Sequence, residues 1–127
     1  MYWCAGFGRP HTQQFLALLF LSRDAAHIAH LNTTSFAQHM ALGGFYDSVI
    51  ELADKFAEAY MGRTGQRIGS LPNLNNPKGD IVDVLRLHMD AIEETRDFVP
   101  ASDTPLNNII DEIVGLYLAT LYKLTLK

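Results

Sequence analysis

Apolar residues in this chain recur at three- and four-residue steps almost from end to end, with one interruption. A first helix is predicted from about Thr12 to Leu31, with Phe15, Leu18, Leu19 and Phe20 on more than one of its faces. Ser35-Phe36-Ala37-Gln38 has the spacing of a capping box and opens a second helix. That helix continues through Val49, Leu52, Ala53, Phe56 and Tyr60 and is expected to stop at Gly62. Residues 63–79 are rich in Gly, Asn and Pro and read as an irregular crossover. Asp80 is then an N-cap candidate, with Ile81, Val84, Leu85, His88 and Ile92 as the inward stripe of a third helix that Pro100 closes. Thr104-Pro105 reads as a cap followed by a proline at the first helical position. The fourth helix so opened reaches about Leu124, with Ile109, Ile110, Ile113, Val114, Tyr117 and Leu121 on its core face.

Two hairpins joined by one long connection are the ferritin-like variant of the four-helix bundle. The expected fold is therefore all-α and a single domain, with residues 1–11 as an N-terminal extension and 63–79 as the crossover. A length of 127 residues suits one core and not two. A helix apolar on several sides, like the first, is buried in a bundle or shared with a partner subunit.

Composition removes several function classes. The net charge of −4 argues against nucleic acid as a partner, since phosphate binding needs a basic patch. The longest apolar run, Phe15 to Leu21, is too short to cross a bilayer. The opening residues carry no basic region ahead of an apolar one, so no secretory signal is expected. Cys4 is the single cysteine, which rules out an internal disulfide and makes a reducing cytoplasm the expected setting. No Gly-x-Ser-x-Gly elbow occurs, and the glycines near 62–69 lack the Lys-Ser/Thr ending of a phosphate loop. The aromatic start (Tyr2, Trp3, Phe7) either packs under the bundle or meets a partner.

The chemistry-bearing pattern is a stripe of carboxylates. Asp47, Glu51, Asp54 and Glu58 stand four, three and four residues apart, on one face of the second helix. His27, His30 and His39 bracket the turn that leads into it. Carboxylate and imidazole on facing helices are the ligand types of a ferritin-type metal site. The plainer reading is that the stripe is the solvated face of an amphipathic helix. Against it, Lys55 is the single basic residue of the central stretch and lies off the stripe. Like charges four apart each cost a few tenths of a kcal/mol unless neutralised. His27 and His30 share a face and also suit the negative end of the first helix. His11 and His88 read as packed histidines. Neither the second nor the fourth helix carries a Glu-x-x-His motif, so a di-iron site inside the bundle is not expected. Asp111 and Glu112 are explained by their place near a helix N-terminus.

The segments Leu21–His27, His30-Leu31, Ser35–His39, Tyr46-Asp47, Asp54, Glu58–Tyr60, Ile110–Ile113 and Leu121–Thr125 resemble the Dps-like mini-ferritins. They resemble most the small ferritin-like proteins of tailed bacteriophages. The resemblance implies an iron site between two subunits: His30 and His39 from one, Asp54 and Glu58 from the other. His27, Asp47 and Glu51 are secondary candidates, and Gly43 and Gly44 would let two second helices approach closely. The family's Trp after the first His is Leu31 here, and a further acidic position is Gly43. The lysine-rich tail that holds DNA has no counterpart, so that role is not implied.

The expectation is thus a homodimer or larger homo-oligomer that binds iron, or another divalent metal, and oxidises Fe(II). Carboxylate and imidazole ligands suit Fe(II), and carboxylate charge favours Fe(III). The alternative is a phage-encoded structural or interaction protein that keeps the fold and acts by contact on a virion or host protein, without metal turnover. A third is a metal-stabilised dimer without turnover. The cytoplasm of an infected bacterium, or the virion, is the corresponding location.

Overall fold

The computed structural model of the chain describes residues 8–76 and 78–127. The readings of Cys4 and of the aromatic start fall outside them. The described residues form α1 (Gly8–Asn32), α2 (Phe36–Thr64), α3 (Ile81–Thr95), a 3-10 turn (Arg96–Phe98) and α4 (Thr104–Lys123). Among them no helix is long and apolar enough to cross a membrane.

The helix ends follow local chemistry and shift some of the expected boundaries. Ser35 caps α2 by accepting from the Gln38 N–H at 3.2 Å. The reciprocal half of the capping box is replaced. The Gln38 side chain accepts from the Thr33 hydroxyl, and the Ser35 N–H donates to Thr33 Oγ1 at 3.1 Å. α2 runs through Gly62 and ends at Gly65, whose φ of 73° lets its N–H turn back to the Met61 carbonyl. A left-handed residue is what this cap needs, and glycine takes that conformation without strain. Asp103, not Thr104, caps α4 by accepting from the Leu106 N–H, which moves Pro105 one place into the helix. Asp80 flanks α3 without a side-chain cap bond.

α1 packs on α2 and α3, and α4 packs on the same two helices. The three-residue turn makes α1 and α2 antiparallel. Phe45 meets Tyr117 at 5.0 Å between ring centres, Lys55 lies 3.5 Å from Glu112, and Arg63 lies 3.0 Å from Asp103, so α4 climbs as α2 descends. Ile81 and Val84 of α3 sit beside Ala25 and Ile28, while Ala91 and Thr95 sit beside His11 and Phe15, so α3 descends along α1. α1 and α4 therefore point one way, α2 and α3 the other. The crossover must regain the starting end, and it does so along α1. Gln13 donates to the Ile68 carbonyl at 2.6 Å, Leu71 and Leu74 lie beside Ala17 and Leu21, and Asn76 and Lys78 reach Ala25 and Ile28.

The expected inward stripes are buried. Ile81, Val84, Leu85, His88 and Ile92 line the core, as do Ile109, Ile110, Ile113, Val114, Tyr117 and Leu121. Phe15, Leu16 and Leu19 join them from α1, and Val49, Ala53, Phe56 and Tyr60 from α2. One polar chain crosses this core. The Tyr117 hydroxyl donates to Ser22 Oγ at 2.6 Å, and Ser22 Oγ lies 2.6 Å from His88 Nδ1. One proton bridges Ser22 and His88, and the tautomer of neutral His88 sets which of the two donates it. Burial pushes the Tyr117 phenol far above its ordinary range and holds His88 below its ordinary 6.5.

Because the folded pKa of His88 lies below the unfolded 6.5, the unfolded chain takes up this proton first as pH falls. The His88 contribution to stability is whole above that value and shrinks as pH drops below it. His88→Gln flattens this part of the profile; urea unfolding from about pH 7.5 to 5 would refute the assignment if the variant kept the wild-type slope. Asp103, with a fully buried side chain, holds both the α4 cap and the Arg63 pair. Asp103→Ala is expected to lower unfolding free energy by about 1–3 kcal/mol, and Arg63→Ala by less. Denaturant titration of the two variants gives the comparison.

Candidate metal centre

The hairpin end of the bundle brings His27, His30, His39 and Tyr46 together. His30 sits near the end of α1 and His39 in the first turns of α2, and the three-residue link places them side by side. Their rings stack with centres 3.7 Å apart and 17° between planes. Each is held by the other's backbone. His30 Nδ1 lies 2.6 Å from the His39 carbonyl, and His39 Nδ1 lies 2.8 Å from the His30 carbonyl. A carbonyl oxygen can only accept, so both Nδ1 atoms carry protons and donate. In the neutral rings both Nε2 lone pairs are then free. Metal-binding histidines are commonly oriented in this way, with the second nitrogen donating to a carbonyl.

Gly43 makes the arrangement possible. A Cβ there would stand 3.2 Å from His30 Cε1 and 3.4 Å from its Nδ1, so the missing side chain is the space the ring occupies. The room at Gly43 is thus taken within the chain, whereas Gly44 faces outward with nothing within 4 Å of a built Cβ. Tyr46 stacks on exposed His27 at 4.1 Å and meets His30 edge-on at 5.3 Å. Sequence reasoning gave Tyr46 no part in the site. The available signal was its place seven residues after His39, on the same helix face.

Asp47, Glu51, Asp54 and Glu58 are all exposed along α2, and none has an ion-pair or hydrogen-bond partner among the described residues. Lys55 turns from the stripe to Glu112. Asp111 pairs with Arg96 at 2.7 Å, so this acidic pair is engaged in tying helices together. Asp54 lies fifteen residues beyond His39, roughly 22 Å along the helix axis, and Glu58 lies farther still. One chain therefore keeps its histidines and its carboxylates apart. No three His, Cys, Asp or Glu side chains converge among the described residues. The nearly parallel ring planes also suit one bond from each imidazole to separate acceptors better than chelation of a single ion by both. The donor set fits a hard or borderline divalent metal, provided that the oxygen ligands come from elsewhere.

A family model described as a family of unknown function, DUF5856, matches residues 30–124, and the chain belongs to that family. The matched stretch begins at His30 and includes His39, Asp54 and Glu58. The chain is also 27% identical over 122 residues to the uncharacterized 14.6 kDa protein of the mobD-ri intergenic region of Enterobacteria phage T4. The alignment covers 94% of this chain and 93% of that protein. No solved structure matches.

The two glycines give opposite expectations. Gly44→Ala is expected to stabilise the isolated chain by about 0.5–1 kcal/mol, the ordinary gain for Gly→Ala inside a helix. Gly43→Ala forfeits that gain because His30, fixed by its 2.6 Å bond and its stack, must give way. Thermal unfolding of both variants, with the imidazole resonances followed by NMR, tests this. Undisturbed His30 signals in Gly43→Ala would show that the ring does not depend on the gap.

Proposed function

We propose that this chain is a ferritin-like bundle of the mini-ferritin type that holds iron between two subunits and oxidises Fe(II) there. His30 and His39 come from one subunit, and Asp54 and Glu58 from the other. The carrying observation is the reciprocal clamp between His30 and His39. It fixes both rings by backbone carbonyls and leaves the Nε2 lone pair of each neutral ring uncommitted, which supports the reading. Two further features support the reading. The helix directions, with one long return along α1, are those of a bundle with a single crossover. The four acceptor-rich side chains on α2 have no ion-pair partner among the described residues and stand on a face that a second subunit can cover.

In this reading Fe(II) is the substrate. One ring would have to turn out of the parallel stack for both imidazoles to position it; the partner carboxylates would stabilise the ferric product by charge, and coordination positions left open would admit oxygen or peroxide. His27 and Tyr46 buttress the His30 ring, and Asp47 and Glu51 lie along the same interface. The phage relative supports an infected bacterial cell as the setting.

A second reading is favoured by one observation. Ile28, Leu31, Phe36 and Met40, all at the hairpin end, are 58–76% exposed. Such a cluster suits a structural or interaction protein that uses the bundle as a scaffold against a virion or host protein.

An aerobic Fe(II) titration separates the two. The expected outcome is saturable oxidation, faster than in protein-free buffer, that ends at a small fixed number of irons per subunit. Asp54→Ala with Glu58→Ala, and separately His30→Ala with His39→Ala, are each expected to lower the initial rate at least tenfold. Background rates in the wild-type protein would transfer the assignment to the scaffold reading.

A further inference from the structure

We infer that the groove between α1 and the start of α3 binds an aliphatic carboxylate, with the ammonium of Lys78 on its head and the two helix walls around its tail. The groove has a volume of about 380 Å³. Ala25, Ile28 and Ala29 form its α1 wall, and Ile81 and Val84 its α3 wall. Asn76 and Lys78, both exposed at the end of the crossover, supply its polar edge. It lies on the side of α1 turned to α3, whereas His30 is turned to α2. The proposed iron chemistry is independent of it.

The groove exists because the α1 wall is small. Ala25 and Ala29 stand one turn apart on one face, so two methyl groups meet α3 where leucines would close the gap. Ile81 and Val84 are held almost fully inside the core and cannot move out to fill it. Ile28, 59% exposed, extends the apolar surface at its rim. An aliphatic chain laid here covers hydrocarbon that water now touches, a gain of about 25 cal/mol for each Å².

The lining also says which head the ligand carries. Among the described lining residues there is no carboxylate and no aromatic ring, and Asp80 and Asp83 at the start of α3 lie outside the lining. Lys78 is the one charge in it and has no ion-pair or hydrogen-bond partner among the described residues. An anion therefore meets attraction and no opposing carboxylate. A sugar, base or peptide would bring several donors and acceptors into a groove that offers one ammonium and one amide, and the remainder would lose water unpaired. A carboxylate on an unbranched chain brings a single polar group. At roughly 30 Å³ per non-hydrogen atom, the volume takes about a dozen, which is a carboxylate with a chain of about ten carbons.

Decanoate, kept below the concentration at which it forms micelles, is the probe, added to the full chain with amide and methyl resonances followed by NMR. The expected result is saturable shifts centred on Ala25, Ala29, Ile81 and Val84. Lys78→Met is expected to weaken binding about threefold to fivefold, the range of one exposed ion pair. Ala29→Leu is expected to weaken it at least about tenfold, because the added methylenes take the place of the tail. Lys78 is exposed, so its variant decides the matter even where Ala29→Leu disturbs folding. Decyltrimethylammonium, with the same tail and the opposite charge, is expected to bind at least about fivefold more weakly than decanoate. Shifts that never saturate, or that saturate around another groove, overturn the inference. So does unchanged affinity in Lys78→Met, or equal binding of the cationic amphiphile.

Discussion

Three residues, Thr33 to Ser35, separate α1 from α2, and so short a link holds the helices antiparallel in one register. The link is itself over-determined by the Ser35 cap, the Thr33–Gln38 contact and the Ser35 N–H bonded to Thr33. Its consequence is that the end of α1 and the start of α2 face each other across the His30 and His39 rings. The ring hydrogen bonds then fasten the hairpin from within. The rest of the topology follows from what this hairpin leaves uncovered. α1 still needs apolar partners on other sides, and α3 and the crossover provide them with Ile81, Leu85, Ile68 and Leu71.

The polar chain from Tyr117 through Ser22 to His88 places α4, α1 and α3 at matched heights. Apolar packing alone tolerates sliding by a turn, because Ile, Val and Leu stripes repeat. A hydrogen-bond chain buried among them does not, since a slide would strand its donors. No buried side-chain N or O lacks a partner among the described residues, so this network is complete as it stands. α2 takes no part in the chain. Phe45 meets Tyr117 ring to ring, and the opposite side of α2 is left to the carboxylates.

Helical periodicity was enough to place the core, because a stripe three and four residues apart can be buried in few ways. Ile109 to Leu121 and Ile81 to Ile92 went inward as the spacing required. Helix ends were less legible, since several residues compete for each cap. Asp103 displaced Thr104 because its carboxylate also meets Arg63, a tertiary contact that local spacing cannot contain. Gly65 displaced Gly62 because an extra turn lets Thr64 bond back to Tyr60 and still ends in a left-handed residue. At the site, the outward direction of Asp47 to Glu58 could be read from spacing alone. The partners of His30 could not. Gly43 reads as a helix-helix contact in any sequence, and only the packing of α1 on α2 shows that the ring of His30 fills its place.

The acidic half of α2 is inexpensive while water covers it. Exposed charges are solvated, and physiological salt screens them beyond about 8 Å. The same four groups become demanding once any surface covers them, because the solvation they lose must be replaced by opposite charge. This holds whichever partner arrives. A protein partner would have to present lysine or arginine in register with Asp54 and Glu58. Within one chain His39 and Asp54 stand fifteen residues and roughly 22 Å apart along α2, so the imidazoles do nothing to relieve the acidic stripe.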